Sequence, residues 1–265
     1  EISLEDMLPT MSIDGISSPL VNVGDCLITD SEHELSPAVN GYPTMTILIA
    51  VDLVDPRIVK ARCYLEPTDG IYVSQNAIYL SQIDYDDSLT EPSSRTIIHR
   101  FELTKNLVYQ GSGAAKGSLY LSGDRDFRIN EHDGYLRLVT TQRTGDSSDT
   151  VDHKLSILKL NIQDVELDLV STLPNSERPE AIGKPNEALY GVRFMGDALY
   201  LVTFERTDPL YVVDLSKPTD PMIAGELMVP GFSDFLHAVN DDLLMGLGQD
   251  ENGLVKLELF NVADM

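Results

Sequence analysis

One short pattern returns five times along this chain: a tight polar turn followed by an apolar strand. The copies read Gly24-Asp25 before CLIT, Gln75-Asn76 before AIYLS, Asp133-Gly134 before YLRLVTT, Gly196-Asp197 before ALYLVT, and Asn240-Asp241 before DLLMG. Because Gly, Asn and Asp tolerate positive φ angles, such dipeptides between apolar runs predict β-hairpins. The chain is therefore expected to contain a repeated hairpin.

A second pattern, a strand that ends in apolar, polar and apolar residues, accompanies the first. Its five copies are Val51-Asp52-Leu53, Phe101-Glu102-Leu103, Leu158-Lys159-Leu160, Val213-Asp214-Leu215 and Phe260-Asn261-Val262. Their central residues are 50, 57, 55 and 47 positions apart. A period of this length indicates a repeat architecture, in which each repeat is one supersecondary unit.

Each repeat reads as four strands, which is clearest in the fourth copy. There we predict strands at residues 190–195, 198–205, 210–216 and 222–230, all rich in Val, Ile, Tyr and Leu. Four-stranded repeats of 40 to 50 residues are typical of a β-propeller. An antiparallel sandwich is the main alternative, but it does not predict regular copies. The predicted fold is all-β: about five four-stranded antiparallel blades, at residues 19–65, 71–117, 126–173, 189–230 and 235–265.

The fifth repeat stops after its third strand, and residues 1–18 form an N-terminal extension. Either that extension supplies the missing strand and closes a five-bladed ring, or the chain is part of a larger propeller. We expect the second, with association through the open blade edge, because an unpaired edge invites pairing. The chain begins with Glu1 and shows no signal sequence, so we expect a processed or truncated product.

Long stretches of the sequence resemble a bacterial and archaeal secreted β-propeller family that is distantly related to WD-repeat propellers. They are DFRINEHDGYLRLVTT, GVRFMGDALYLVTFERTDPLYVVDLSKPTDP, GELMVPGFSDFLH and GYPTMTILIAVDLVDP. The resemblance covers most of the chain after residue 19. It implies an extracellular or surface-attached protein of uncharacterised function, about twice this length, with seven or eight blades. It supplies no catalytic residues.

Composition excludes several partner classes. The net charge is −24, from 43 acidic and 19 basic residues, and we find no basic stripe for nucleic acid. Anionic membranes are disfavoured for the same reason, and the longest apolar runs are too short for a transmembrane helix. Cationic partners, divalent metals or a high-salt environment fit this charge better, and the alternative is that the charge keeps a secreted protein soluble. A protein, peptide or glycan remains the expected partner.

The two cysteines are predicted to be unpaired. Cys26 falls in the second predicted strand of the first repeat and Cys63 in the fourth, so that a strand separates them. Two strand spacings amount to about 9.6 Å, which is more than the roughly 7 Å that a disulfide tolerates between Cα atoms.

Four residues are candidates for a ligand site in the central channel. Arg193 lies in the first strand of the fourth repeat, Asp234 and His237 lie in the first strand of the fifth, and Arg137 lies in the second strand of the third. First strands line the channel of a propeller, so Arg193 and His237 are placed to bind an anion or carboxylate. The alternative is structural, because a buried Arg or His must be hydrogen-bonded and such residues tie neighbouring blades.

Calcium is the one cofactor that the sequence suggests, and the suggestion is weak. Two acidic loops contain oxygen ligands for it, namely Asp84, Asp86, Asp87, Asp250 and Glu251. Neither loop matches an EF-hand. If calcium binds, we expect it in such a loop and not in the channel. Solvated loops that bind no ion are the alternative.

Other motifs are weaker. The run from Gly111 to Gly117 lacks the order of a P-loop and predicts an irregular edge strand instead. No nucleophile elbow is present, and the five histidines are scattered. We therefore expect a non-enzymatic scaffold for recognition of a protein, peptide or glycan. A hydrolase or lyase in the channel, and a calcium-stabilised adhesion module, are the alternatives.

Overall fold

The computed structural model describes residues 8–27, 44–86, 93–119, 127–143, 151–204, 208–229, 231–250 and 252–263. Within these ranges the protein is all-β, with twenty strands and one three-residue 3₁₀ helix at Val23–Asp25. This confirms the all-β part of the prediction; the count of about five four-stranded blades stays a prediction. No helix in the described ranges has the length and apolar character needed to cross a bilayer.

The chain divides into two compact units. The first comprises residues 1–82 and 99–110, and the second comprises residues 83–98 and 111–265. The strands that begin in the first unit are β1 (Thr10–Ile13), β2 (Ile16–Pro19), β3 (Cys26–Leu27), β4 (Thr46–Val51), β5 (Val59–Tyr64), β6 (Gly70–Val73), β7 (Ala77–Asp86) and β9 (Tyr109–Lys116). Strand β8 (Ser93–Glu102) begins in the second unit and ends in the first.

The N-terminal extension folds into a hairpin of its own. β1 pairs with β2 across Asp14 and Gly15, whose φ angles are 52° and 80°. Two consecutive positive φ angles are characteristic of a type I′ turn, which matches the twist of the flanking strands. Among the described strands, β1 and β2 pair only with each other, so the extension does not supply a fourth strand to the fifth repeat there.

The first repeat departs from the predicted strand order, and the prediction of two free thiols is wrong. β3 pairs in parallel with β5, which places Cys26 directly opposite Cys63, and the sheet order is β3-β5-β4. The two Cα atoms are 4.3 Å apart and the sulfurs form a disulfide. The error came from the assumption that strands follow one another across the sheet. Here no strand separates the two cysteines.

The second unit contains the remaining strands in chain order. They are β10 (Ile129–His132), β11 (Tyr135–Arg143), β12 (Val151–Asn161), β13 (Glu166–Leu173), β14 (Ala188–Met195), β15 (Ala198–Phe204), β16 (Asp208–Asp214), β17 (Met222–Val229), β18 (Phe232–Asn240), β19 (Leu243–Gln249) and β20 (Val255–Asn261). β14–β17 form a four-stranded antiparallel sheet whose strands lie where the sequence predicted them. The hairpins at Asp133-Gly134, Gly196-Asp197 and Asn240-Asp241 are confirmed.

The second and third repeats share one sheet, which the sequence did not predict. Its order is β10-β11-β12-β13-β9-β8-β7-β6, and the connection is a parallel pairing of Glu166 with Ser112. The glycines of β9 permit this pairing: a Cβ on Gly113 would lie 2.4 Å from the carbonyl oxygen of Leu167, and one on Gly111 would lie 2.3 Å from that of Val165. The predicted edge strand is therefore an inner strand.

The two recurring sequence patterns are joined by a hydrogen bond. In three repeats, the backbone N–H of the last residue of the apolar–polar–apolar pattern donates to a carbonyl of the polar hairpin turn. The pairs are Leu103 to Asn76 (2.9 Å), Leu215 to Asp197 (2.7 Å) and Val262 to Asp242 (2.9 Å). The patterns recur together because each turn is fastened to the end of the third strand.

The fourth repeat is buried on both faces. Leu199 and Leu201 of β15 pack into a cluster with Leu155 and Ile157 of β12. The intervening Tyr200 and Val202 pack into a second cluster, which contains Leu236, Leu244 and Phe260 of the fifth repeat. Because strand side chains alternate between the two faces, both sets of positions must be apolar. This explains the continuous apolar run ALYLV.

The fifth repeat is exposed on one face. β20 lies at the edge of the β18-β19-β20 sheet as described, and Val255, Leu257 and Leu259 point to solvent at 82%, 60% and 58% exposure. Phe260, on the other face, is buried against the fourth repeat. Association through this edge stays a prediction.

Candidate functional site

The first strands of the fourth and fifth repeats, β14 and β18, lie side by side. Gly191 makes this approach possible, because a Cβ at that position would lie 3.1 Å from the carbonyl oxygen of Ser233 and 3.2 Å from Cγ of Leu236. β14 carries Arg193, and β18 carries Asp234 and His237. That these residues line a central channel stays a prediction.

Both strands carry a β-bulge near their start. The pairing register skips Tyr190 in β14 and Asp234 in β18. A bulge leaves one residue unpaired and redirects the side chains that follow it. Asp234 is the extra residue of its bulge, and its side chain is exposed. Partial desolvation raises the pKa of its carboxyl group above the ordinary value.

Four side chains form a continuous row across this surface, which we call the cation–aromatic row. The guanidinium carbon of Arg193 lies 5.1 Å from the ring centroid of Phe127. Phe127 meets the ring of Phe235 edge-on at 5.6 Å, and Phe235 stacks on His237 at 6.1 Å with 15° between the ring planes. Sequence analysis identified Arg193 and His237 but missed the two phenylalanines that connect them.

Arg193 has one polar atom without a partner. Its Nε is inaccessible to solvent and donates to no acceptor among the described residues. A buried N–H that lacks an acceptor costs about 1 to 3 kcal/mol, so the Nε of Arg193 is an unsatisfied donor next to the rings of the row. The rest of the row offers ring faces and an imidazole that is exposed at His237.

Arg137 does not belong to the row, and its contacts favour the structural alternative. Its Nη1 donates to the carbonyl oxygen of Gly196 at 2.7 Å, and its Nε donates to Oδ1 of Asn130 at 3.0 Å. Its guanidinium also lies 4.9 Å from the ring centroid of Phe194. Arg137 is buried and ties β11 of the third repeat to the hairpin turn of the fourth.

Two calcium candidates already have protein partners. Oδ2 of Asp84 accepts a hydrogen bond from Nε of Arg95 at 2.8 Å. Oδ1 of Asp250 accepts from the backbone N–H groups of Asn252 and Leu254, at 2.8 and 2.9 Å, which lowers the pKa of Asp250. The described residues contain no group of three or more metal-ligating side chains. Calcium binding is therefore not supported by these two residues.

The other three calcium candidates fall wholly or partly outside the described residues. Asp87 and Glu251 lie outside them, and of Asp86 only the backbone at the end of β7 is described. The prediction of calcium in these loops stays a prediction.

A cavity of about 250 Å³ in the second unit was not anticipated from the sequence. It is lined by residues of β9, β11 and β12 and by the segment 181–185, and three lysines contribute to it: Lys116, Lys154 and Lys184. These lysines lie far apart in the sequence, so no local motif connects them.

Comparison with known proteins identifies the family. The family described as "Beta propeller domain" matches residues 1–265. The chain belongs to the beta-propeller domain family. This propeller domain is also similar to an uncharacterized protein of Methanocaldococcus jannaschii, with 38% identity over 154 residues, which cover 58% of the chain and 22% of that protein.

An uncharacterized protein of Archaeoglobus fulgidus is similar at 37% identity over 173 residues, which cover 64% of the chain and 24% of that protein. The propeller domain thus spans about a quarter of the length of these archaeal relatives. Among solved structures, the computationally designed Ika4 protein aligns with a TM-score of 0.37 and 10% identity, over 74% of this chain and 96% of that one.

Proposed function

We propose that this propeller domain is a non-enzymatic extracellular scaffold that recognises a protein, peptide or glycan through the cation–aromatic row. The observation that carries the proposal is the buried Nε of Arg193, which has no acceptor among the described residues and stands beside the ring of Phe127. A ligand that brings an acidic oxygen to Arg193 and a flat or apolar surface to the phenylalanines matches this arrangement. Acidic peptides and glycans that contain uronic acid have that chemistry.

The position of the row supports a binding role. Function on repeat folds resides in the surfaces that the rigid sheets present, and the row is held by β14 and β18, whose core neighbours Val192 and Leu236 are buried. Arginine and aromatic side chains are also the residue types that dominate recognition surfaces. A rigid row of this kind loses little conformational entropy when a ligand binds.

Extracellular or cell-surface localisation is part of the same proposal. The disulfide between Cys26 and Cys63 supports it, because disulfides persist in oxidising compartments.

The test is a screen of acidic peptides and uronic-acid glycans on an array, followed by titration calorimetry of the best binder. Replacing Arg193 with Gln should weaken binding about 10- to 100-fold, the effect expected for one charge-assisted hydrogen bond. Replacing Phe235 with Ala should also weaken it. The matched control is Arg143→Gln, an exposed arginine of the same unit, which should change affinity less than about twofold.

Two outcomes oppose the proposal. If the Arg193→Gln variant and the parent protein bind the ligand with equal affinity, the cation–aromatic row does not take part in recognition. Release of a cleaved product from the bound ligand, detected by mass spectrometry, would favour the alternative of a hydrolase or lyase.

A further inference from the structure

The cavity of about 250 Å³ has an unusual charge for this protein. The chain has eight lysines against 43 acidic residues, yet among the described residues three lysines and one acidic residue, Asp152, line this cavity. Clustered cations repel one another and raise the energy of the folded state. An arrangement of this kind is best explained by an anionic ligand.

One side chain positions the first two lysines. Thr140 is fully buried, and its hydroxyl lies 2.5 Å from the carbonyl oxygen of Lys116 and 3.3 Å from that of Lys154. Gly117, at a φ of 92°, brings the chain of Lys116 close to Thr140, since a Cβ there would lie 3.0 Å from the Thr140 hydroxyl. The backbones of Lys116 and Lys154 are therefore held next to Thr140 at the wall of the cavity.

The third lysine is positioned by a buried hydrogen-bond network. Ile182 forms an isolated antiparallel β-bridge with His153. Nε2 of His153 donates a hydrogen bond to the carbonyl oxygen of Glu187 at 2.8 Å. The carboxylate of Glu187 in turn accepts the backbone N–H of Lys184 at 2.9 Å. The segment that carries Lys184 is thereby fastened to β12.

The network extends into the protein interior through Arg128 and Thr141, which are both buried. Nη1 of the fully buried Arg128 donates to the hydroxyl of Thr141 at 3.1 Å, and that hydroxyl lies 2.9 Å from Nδ1 of His153. Because a carbonyl oxygen only accepts hydrogen bonds, the proton of His153 is on Nε2, and Nδ1 accepts from Thr141. The walls of the cavity are held by fixed polar contacts.

The lysines themselves have no ion pair with any described residue. Elsewhere in the described chain, four arginines and one lysine form salt bridges with carboxylates, namely Arg57, Arg62, Arg95, Arg178 and Lys256. The exposed Lys60, Lys105, Lys159 and Lys217 form none with described residues. Lys116 and Lys184 are exposed and Lys154 is half-buried, so their ammonium groups are accessible to a ligand. Among the described residues, no carboxylate forms a salt bridge with them.

We propose that this cavity is an anion site that binds a doubly charged tetrahedral oxyanion, such as a phosphate group. The ammonium group of lysine is a compact charge that can approach a tetrahedral anion from any direction. A planar carboxylate is instead matched by the planar guanidinium of arginine, which binds it with two parallel hydrogen bonds. The volume suits a small anionic group, since complete drug-sized ligands occupy about 300 to 1,000 Å³. The site is distinct from the cation–aromatic row and does not depend on its function.

Titration calorimetry at constant ionic strength tests this inference with three probes: inorganic phosphate, glycerol 2-phosphate and dimethyl phosphate. Phosphate or glycerol phosphate should bind, and dimethyl phosphate, with one charge, should not. Binding of phosphate alone identifies a free anion as the ligand. Binding of glycerol phosphate with equal or greater affinity identifies the end of a phosphorylated molecule. Binding should weaken as salt is raised, because salt screens exposed charges.

Variants locate the site. Lys116→Gln, Lys154→Gln and Lys184→Gln should each raise the dissociation constant about threefold to tenfold, and the triple variant should abolish binding. Lys217→Gln, an exposed lysine of the same unit outside the cavity, is the matched control and should leave the constant unchanged. Circular dichroism verifies that each variant is folded. Equal binding by the folded triple variant, or no binding of either dianion by the parent protein, overturns the inference.

Discussion

His153 should make the second unit sensitive to mild acid. Burial lowers the pKa of its imidazole from 6.5 to about 4, because the charged ring would lose its hydration; the hydrogen bond to the carbonyl oxygen of Glu187 opposes this shift only in part. The unfolded chain therefore binds a proton more readily than the folded chain. The stabilisation is complete above pH 6.5 and is lost as the pH falls toward 4.

The magnitude follows from the two pKa values. Between pH 7 and pH 5, linkage between protonation and folding predicts a loss of about 2 kcal/mol in the free energy of unfolding from His153. This range is chosen because the carboxylates with lowered pKa values, such as Asp220 and Asp250, titrate below it. His99 of the first unit, whose pKa burial also lowers to about 4, should contribute a similar loss there.

The assay is urea unfolding at pH 7 and pH 5, with hydrogen exchange and mass spectrometry to report on each unit. The variant His153→Gln should be less stable at pH 7 but should lose about 2 kcal/mol less than the parent protein between the two pH values. His99→Gln is the matched comparison and should reduce the pH dependence of the first unit only. An NMR titration in which the imidazole of His153 in the folded protein has a pKa near 6.5 would refute the reasoning.

Three further outcomes are expected. Gly113→Ala should destabilise the second unit by about 2 kcal/mol or more, because its Cβ would collide with the backbone of Leu167; the control Gly225→Ala has open space and should shift the urea midpoint little, and equal effects would contradict this. Thiol counting in denaturant without reductant should find no free thiol, and reduction of the disulfide, which links residues 37 positions apart, should destabilise the first unit by about 2 to 4 kcal/mol. Thermal unfolding with excess calcium or with EDTA tests the acidic loops. Calcium at 100 times its dissociation constant would add about 2.7 kcal/mol to the free energy of unfolding, and identical unfolding curves would show that calcium does not bind the folded protein.

Hairpins were predictable from sequence because their chemistry is local. Asp133-Gly134 adopts φ angles of 49° and 77°, as the dipeptide predicts. The same signal at Asp14-Gly15 was overlooked, since the flanking strands TMSI and ISSP are short and only weakly apolar. The pairing of Cys26 with Cys63 was not predictable in this way, because strand order depends on contacts between distant segments.

The candidate site was predictable only in part. Arg137 and Arg193 both sit within apolar strands and look alike in the sequence. Their roles differ because Arg137 faces the carbonyl oxygen of Gly196 in the next hairpin turn, whereas the Nε of Arg193 meets no acceptor in the described structure. That difference is set by tertiary packing, as is the convergence of the three lysines on one cavity.

The interior polar groups determine which residues remain for binding. Arg128 and Arg137 hold neighbouring repeats together through hydrogen bonds, and the imidazole of His153 is occupied at both nitrogens. Unsatisfied buried charges are costly, so these residues are committed to the fold. In a chain of net charge −24, the basic groups that the described fold leaves without carboxylate partners indicate where an acidic ligand could bind. In the second unit these groups include Arg193 and the three cavity lysines, on which the two proposals of acidic ligands rest, and also the exposed Arg143, Lys159 and Lys217.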